Sequence, residues 1–157
     1  FVVIGTGGGC ATSPDGINWT YRSQLSTTAW GTSQTPSFYS LTYSQGLGLY
    51  MAGGNSGEVA YSSDAITWTV NTTALNTAWA GTRYVNSIVG TSSHIIAFAD
   101  NGFAARTTNG STWTNIASIR NLGSGTFFNA SQAIFTGTNI LVAENVGGSS
   151  GALIVSP

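Results

Sequence analysis

The sequence predicts an all-β chain made of a repeated antiparallel unit, and three observations carry that prediction. A short Ser/Thr-x-Asp/Asn turn recurs three times with a Trp four residues after the acceptor, and Trp19, Trp68 and Trp113 lie 49 and 45 residues apart. Between the turns the chain is a string of short runs rich in β-branched and aromatic residues, bounded by Gly, Asn and Ser. No stretch shows a helical period of apolar residues with caps.

The three turns read Ser13-Pro14-Asp15-Gly16-Ile17-Asn18-Trp19-Thr20, Ser62-Ser63-Asp64-Ala65-Ile66-Thr67-Trp68-Thr69 and Thr107-Thr108-Asn109-Gly110-Ser111-Thr112-Trp113-Thr114. Each is expected to form a hairpin tip. Asp15, Asp64 or Asn109 accepts backbone N–H groups two residues onward, and the hydroxyl of Ser13, Ser62 or Thr107 adds a second local bond. The Trp then starts the return strand, with its ring expected to be buried over the hairpin. An apolar run and a Gly-rich turn precede each segment: Val2-Val3-Ile4 before Gly7-Gly8-Gly9, Leu49 to Ala52 before Gly53 to Gly57, and Ile95 to Phe98 before Asp100-Asn101-Gly102. A fourth copy starts at Ile140-Leu141-Val142-Ala143 and ends at Ser156-Pro157, which matches Ser13-Pro14.

Strands are accordingly expected over 1–5, 9–14, 17–22, 37–43, 48–53, 58–63, 66–71, 84–90, 94–99, 103–108, 112–117, 127–135, 139–144 and 151–156. Grouped by repeat they form one repeat domain, 1–157, with blade portions of about 1–22, 37–71, 84–117 and 127–157. That is about three and a half four-stranded units, the first without its opening strand and the fourth without its closing one. A unit of 45–49 residues fits a β-propeller blade. Three and a half blades do not close a ring, so further chain or neighbouring subunits are expected to complete it. The opening at Phe1, without Met or a signal-peptide core, suggests a mature product or an excerpt.

The Ser-x-Asp-Gly-x-x-Trp segment after a Gly-turn strand resembles the Asp-box (BNR-like) repeat of sialidase-type, phage and secreted propellers. The resemblance covers essentially the whole chain, with Ala65 in place of Gly in the second copy and Asn109 in place of Asp in the third. It implies a propeller in which the motif is a structural turn on the blade rim and does not itself set the function.

Composition narrows the function. Only 6% of residues are charged, against about 25% in an average soluble domain. Ser, Thr, Asn and Gly make up nearly half of the chain, there is no Lys, and the basic residues are Arg22, Arg83, Arg106 and Arg120. A net charge of −1 excludes a polybasic nucleic-acid binder and an electrostatic membrane anchor. The apolar run Ile95–Ala99 is too short to span a bilayer. Cys10 is the only cysteine, which excludes an intrachain disulfide and a Cys-based zinc site, and it reads as a small buried apolar residue.

Candidate chemistry is sparse. The carboxylates are Asp15, Glu58, Asp64, Asp100 and Glu144, two of them inside the repeated turns, and the stock is poor for a glycosidase pair. A sialidase would also need three clustered Arg residues for the substrate carboxylate. His94 has no triad or metal-ligand spacing around it, so no cofactor and no metal are expected. Trp30 and Trp79 also lie 49 residues apart. They read as blade-to-blade packing residues, or alternatively as a glycan-stacking platform. N-glycosylation acceptor tripeptides start at Asn18, Asn71, Asn109 and Asn129, about as many as chance gives for this Asn, Ser and Thr content.

The resulting expectation is a structural or adhesive propeller module without catalysis, in an extracellular or virion assembly. Its partner would be itself, as a homo-oligomer or filament, because low charge and open sheet edges favour association. The alternative is a carbohydrate-binding lectin. A more remote one is a fragment of a sialidase-like glycoside hydrolase.

Overall fold

The computed structural model describes residues 1–23, 25, 37–116, 130–144 and 153–156. Short β-branched and aromatic runs between Gly-rich turns give fourteen described strands in four antiparallel sheets. The first sheet holds β1 (Val2–Ile4), β2 (Cys10–Thr12) and β3 (Thr20–Tyr21). The second holds β4 (Phe38–Ser44), β5 (Leu49–Gly54), β6 (Val59–Ser62) and β7 (Thr69–Asn71). The third holds β8 (Val85–Gly90), β9 (Ile95–Ala99), β10 (Ala104–Thr107) and β11 (Thr114–Asn115). The fourth holds β12 (Ala130–Phe135), β13 (Ile140–Glu144) and β14 (Leu153–Ser156). Each sheet is a meander in which consecutive strands pair.

The sheets repeat in register as well as in order. The first strand of the second, third and fourth sheets carries a bulge at the same place, between Phe38 and Ser40, Val85 and Ser87, and Ala130 and Gln132. Beyond the bulge, Ser40 faces Gly53, Ser87 faces Phe98 and Gln132 faces Ala143. These three first-strand residues are therefore equivalent, and so are Thr42, Val89 and Ile134 two residues later.

The core lies between the sheets. Cys10, Phe38, Ala52, Ala60 and Trp68 fill the space between the first and second sheets. Met51, Val59, Leu75, Trp79, Ile88, Ala97 and Trp113 fill that between the second and third, and Val89, Phe98, Ala104, Ala133 and Val142 that between the third and fourth. Each fully buried large side chain contributes about 1.5–3 kcal/mol. Sheets stacked face to face through such clusters are the blades of a β-propeller.

Two expectations change. The strands expected at 17–22, 66–71 and 112–117 begin at Thr20, Thr69 and Thr114, because Ile17, Asn18, Ile66, Thr67 and Thr112 belong to the turns. A helix, α1, spans Ala74–Trp79 where none was expected. The Asn71 Oδ1 accepts the Ala74 N–H at 2.9 Å at its start, and Ala80 ends it in the left-handed region at φ 53°. Leu75 and Trp79, four residues apart, are its buried face. Six residues are too few to show a period in sequence.

Candidate functional site

The three repeated turns share one hydrogen-bond net. In the first, the Ser13 hydroxyl donates to Asp15 Oδ1 at 2.9 Å and accepts the Gly16 N–H at 2.8 Å, while Asp15 Oδ1 accepts Ile17 and Asn18 N–H groups at 2.8 Å each. Ser62 and Asp64 repeat it toward Ala65, Ile66 and Thr67, and Thr107 and Asn109 toward Gly110, Ser111 and Thr112. Backbone donors hold both carboxylates in the charged form. The N–H of Asn18 first of all holds Asp15 well below the ordinary range, and the Thr67 and Ile66 N–H groups lower Asp64 to about 2. Gly16 and Gly110 take φ +76° and +79°, and Ala65 adopts φ 60° in the same place.

The tryptophans of these turns are not all buried as expected. Trp68 is 3% exposed and Trp113 8%, whereas Trp19 is 43% exposed. The difference follows from the neighbour. Trp68 reaches back to Cys10 in the first blade, with which it shares one buried cluster, and Trp113 joins the cluster of Met51 and Val59 in the second. Trp19 has no described blade before it. The Trp68 and Trp113 rings are thus wedges into the preceding blade. The third turn adds to this junction: a Cβ on Gly110 would lie 2.6 Å from the Tyr61 ring, and Ser111 O accepts Asn71 Nδ2 at 2.9 Å.

A second set of contacts joins the first strands. The Ser40 and Thr42 hydroxyls accept the N–H groups of Ile88 and Gly90 at 2.7 and 2.9 Å, and the Ser44 hydroxyl donates to Thr91 O. One blade on, Ser87 Oγ accepts the Ala133 N–H at 2.8 Å in the equivalent register. The Ser40, Thr42 and Ser87 hydroxyls each satisfy a backbone donor of the next blade's first strand, and the Ser44 hydroxyl a backbone acceptor. Sequence reasoning missed these residues. Their only signal was Ser and Thr recurring at strand positions that otherwise face an apolar core.

The other candidates fall in separate places. Trp79 is 2% exposed within the second junction, so its ring offers no face to a sugar. That corrects the stacking alternative at this residue in favour of packing. Trp30 and Asn129 lie outside the described residues. Asn18 is exposed with Nδ2 on Asp15 Oδ2, Asn71 caps α1 and crosses to Ser111, and Asn109 holds the third turn. Arg22 Nε donates to Thr12, the Arg83 guanidinium lies 3.4 Å over the Phe103 ring, and Arg106 is exposed on β10. Arg120 lies outside the described residues. Burial pushes the Cys10 thiol up, against the opposing pull of Arg22. Among the described residues no group of three or more His, Cys, Asp or Glu is placed to hold a metal ion. No described helix is long and apolar enough to cross a membrane.

No protein-family model matches the chain, and no curated protein resembles it in sequence. Several solved structures share its fold. YCF48 bound to D1 peptide superposes with a TM-score of 0.63 at 13% identity over 90% of this chain and 43% of its own. A structure from the GH130 family of mannoside phosphorylases, which contains glycoside hydrolases that target β-1,2 mannosidic linkages in Candida mannan, gives 0.54 at 19% over 90% and 52%. A glycosyl hydrolase from Bacteroides ovatus gives 0.52 at 17% over 94% and 56%. The chain spans about half the length of these structures. The likeness establishes the class, a β-propeller fold.

It also overturns one expectation. A protein without catalysis was expected from the small stock of carboxylates, yet glycoside hydrolases and mannoside phosphorylases stand among the proteins of this fold. The stock within a span about half as long as theirs does not exclude an enzyme.

Proposed function

We propose that this chain is a structural or adhesive β-propeller module of an extracellular or virion assembly, with blades of the Asp-box type. The identical hydrogen-bond net of the three turns supports that kinship. The observation that carries the role is exposed apolar surface. Phe1, Val3, Ile17, Trp19 and Tyr21 in the first blade are 72, 47, 80, 43 and 63% exposed, and Ile134 in the fourth is 52% exposed. Apolar surface of this kind, in a chain with 6% charged residues, marks an interaction surface. Particle images of the native source material, with the chain located by antibody, test the proposal. Label on a fibre, shell or surface layer is expected. Recovery only as free chains in solution would overturn it.

A second reading, carbohydrate binding, rests on Tyr39 and Tyr84. They are 55 and 56% exposed, at the bulge of β4 and just before β8, and open aromatic faces of this kind suit the apolar faces of sugars. A glycan array with Tyr39→Ala and Tyr84→Ala controls tests it. Binding that the substitutions abolish is the expected outcome, and an empty array would overturn this reading.

A further inference from the structure

The third turn holds the parts of a reaction on itself. The chain has two Asn-Gly pairs, Asn101-Gly102 and Asn109-Gly110. In such a pair the glycine nitrogen, unhindered by a side chain, can attack the asparagine side-chain carbonyl carbon and expel ammonia. The ring that closes is a succinimide, which water reopens to aspartate or isoaspartate. The rate depends on how well the attacking N–H is relieved of its proton and the carbonyl oxygen of its growing charge.

Both needs are met at Asn109. Its Oδ1 accepts the N–H groups of Ser111 and Thr112 at 3.0 and 2.9 Å and the Thr107 hydroxyl at 3.1 Å. Donors grouped on one carbonyl oxygen in this way form an oxyanion hole. The same Thr107 Oγ1 accepts the Gly110 N–H at 3.0 Å and that of Asn109 at 3.2 Å. One hydroxyl therefore touches both the proton of the nucleophile and the oxygen that gains charge. Thr107 is 2% exposed, which keeps the hydroxyl on these partners. Asn109 is exposed, so water has a path in and ammonia a path out. The other candidates lack one part each. The Asn101 amide donates to Asp100 Oδ2 at 3.3 Å, and a carboxylate so close opposes an oxyanion. Asp15-Gly16 has the same net, but an ionised carboxylate is a poor electrophile.

We propose that Asn109 is a self-modification site, at which the folded third turn converts its own asparagine to aspartate. The Gly110 nitrogen bonds to Asn109 Cγ as its proton passes to Thr107 Oγ1 and the Thr107 proton passes to Oδ1. That proton moves on to Nδ2 as the Cγ–Nδ2 bond breaks, and ammonia leaves. Water then adds at Cγ, the carbon whose oxygen the Ser111 and Thr112 N–H groups polarise. The bond from Cγ to the Gly110 nitrogen breaks, and the proton returns to that nitrogen. One water is consumed and one ammonia released. The product completes the pattern of Asp15 and Asp64, whose carboxylates the same backbone donors hold in the charged form. The chemistry needs nothing beyond this chain and water, so it stands whether or not the module is part of an assembly.

Mass spectrometry of the 157-residue chain, aged at neutral pH, reads the exchange of NH2 for OH in the peptide that carries Thr107–Thr114. The parent chain in urea supplies the rate of the unstructured Asn-Gly pair. Conversion at Asn109 in the folded chain is expected at least about tenfold faster than in urea or at Asn101, with aspartate ahead of isoaspartate. Thr107→Ser keeps the hydroxyl, as Ser13 and Ser62 do, and should retain the rate. Thr107→Val, with its β-sheet circular dichroism intact, should lose about tenfold. If Thr107→Val does not fold, the comparison of the folded parent with urea still decides. The converted chain should also lose more stability than the parent between about pH 4 and pH 2, because its new carboxylate meets the donors that lower Asp64 to about 2. Conversion no faster in the folded chain than in urea, isoaspartate as the main product, or an equal rate in folded Thr107→Val would each overturn the proposal.

Discussion

At the scale of single residues, the repeated turns divide into a local part and a distant one. The Ser-Asp and Thr-Asn bonds span two or three residues, so the spacing of side-chain acceptors in the sequence was enough to foresee them. Where each Trp goes was not legible, because its burial depends on a blade some 45 residues away. The same residue type in the same motif therefore differs in weight. Trp68→Ala and Trp113→Ala should each cost about 3–5 kcal/mol in urea melts, and Trp19→Ala less than about 1 kcal/mol in the monomer. The acid response separates the turns in another way. Asp64 titrates near 2 in the folded chain and Asp15 lower still, against about 3.9 when unfolded. Their contribution is complete above the unfolded value and is lost as pH falls through the folded ones. The urea midpoint should drop between about pH 4 and pH 2, and a doubly substituted Asp15→Asn, Asp64→Asn chain should show a flatter profile. The third turn, built on Asn109, does not take part.

At the scale of elements, the strands were legible from short β-branched runs and Gly punctuation: twelve of the fourteen described strands fall within the expected runs, and β4 and β5 overrun theirs by one residue. Helix α1 was not. Its six residues carry one buried pair, Leu75 and Trp79, and its start depends on an Asn that also reads as the end of a strand. The polar seam between first strands was equally hidden, since Ser40, Thr42 and Ser87 resemble surface residues in a chain full of Ser and Thr. Ser87 is 4% exposed and satisfies the Ala133 N–H. Ser87→Ala should cost about 1–3 kcal/mol by leaving that buried donor unpaired. Ser131→Ala, on an exposed residue of the neighbouring strand, should fall within about 0.5 kcal/mol. Urea denaturation of both variants checks the contrast.

At the scale of the whole molecule, the repeat announced the propeller before any strand was assigned, because units of 45–49 residues with hairpin punctuation leave few other architectures. What joins the blades is spread over the entire chain, in parts that look ordinary one at a time. The absence of catalysis was a wrong deduction of the same origin, drawn from a residue count when chemistry depends on placement. One property does follow directly from composition. With 6% charged residues, any association of the proposed module should change little with ionic strength, even as the Debye length shrinks from about 10 Å to about 3 Å. Sedimentation at about 0.1 M and 1 M salt measures this, and a steep salt dependence would point to charged contacts.

The seating of Cys10 makes the molecule its own reporter. Its thiol is 3% exposed beneath Trp68, at the seam between the first and second blades, and no other thiol competes for a reagent. That seam is held by the cluster of Cys10, Phe38, Ala52, Ala60 and Trp68, and a reagent reaches the sulfur only when it opens. Under native conditions the rate of thiol labelling therefore reads the opening of one seam. Anything that clamps the first blade, a neighbouring chain included, will register as slower chemistry at a single sulfur atom.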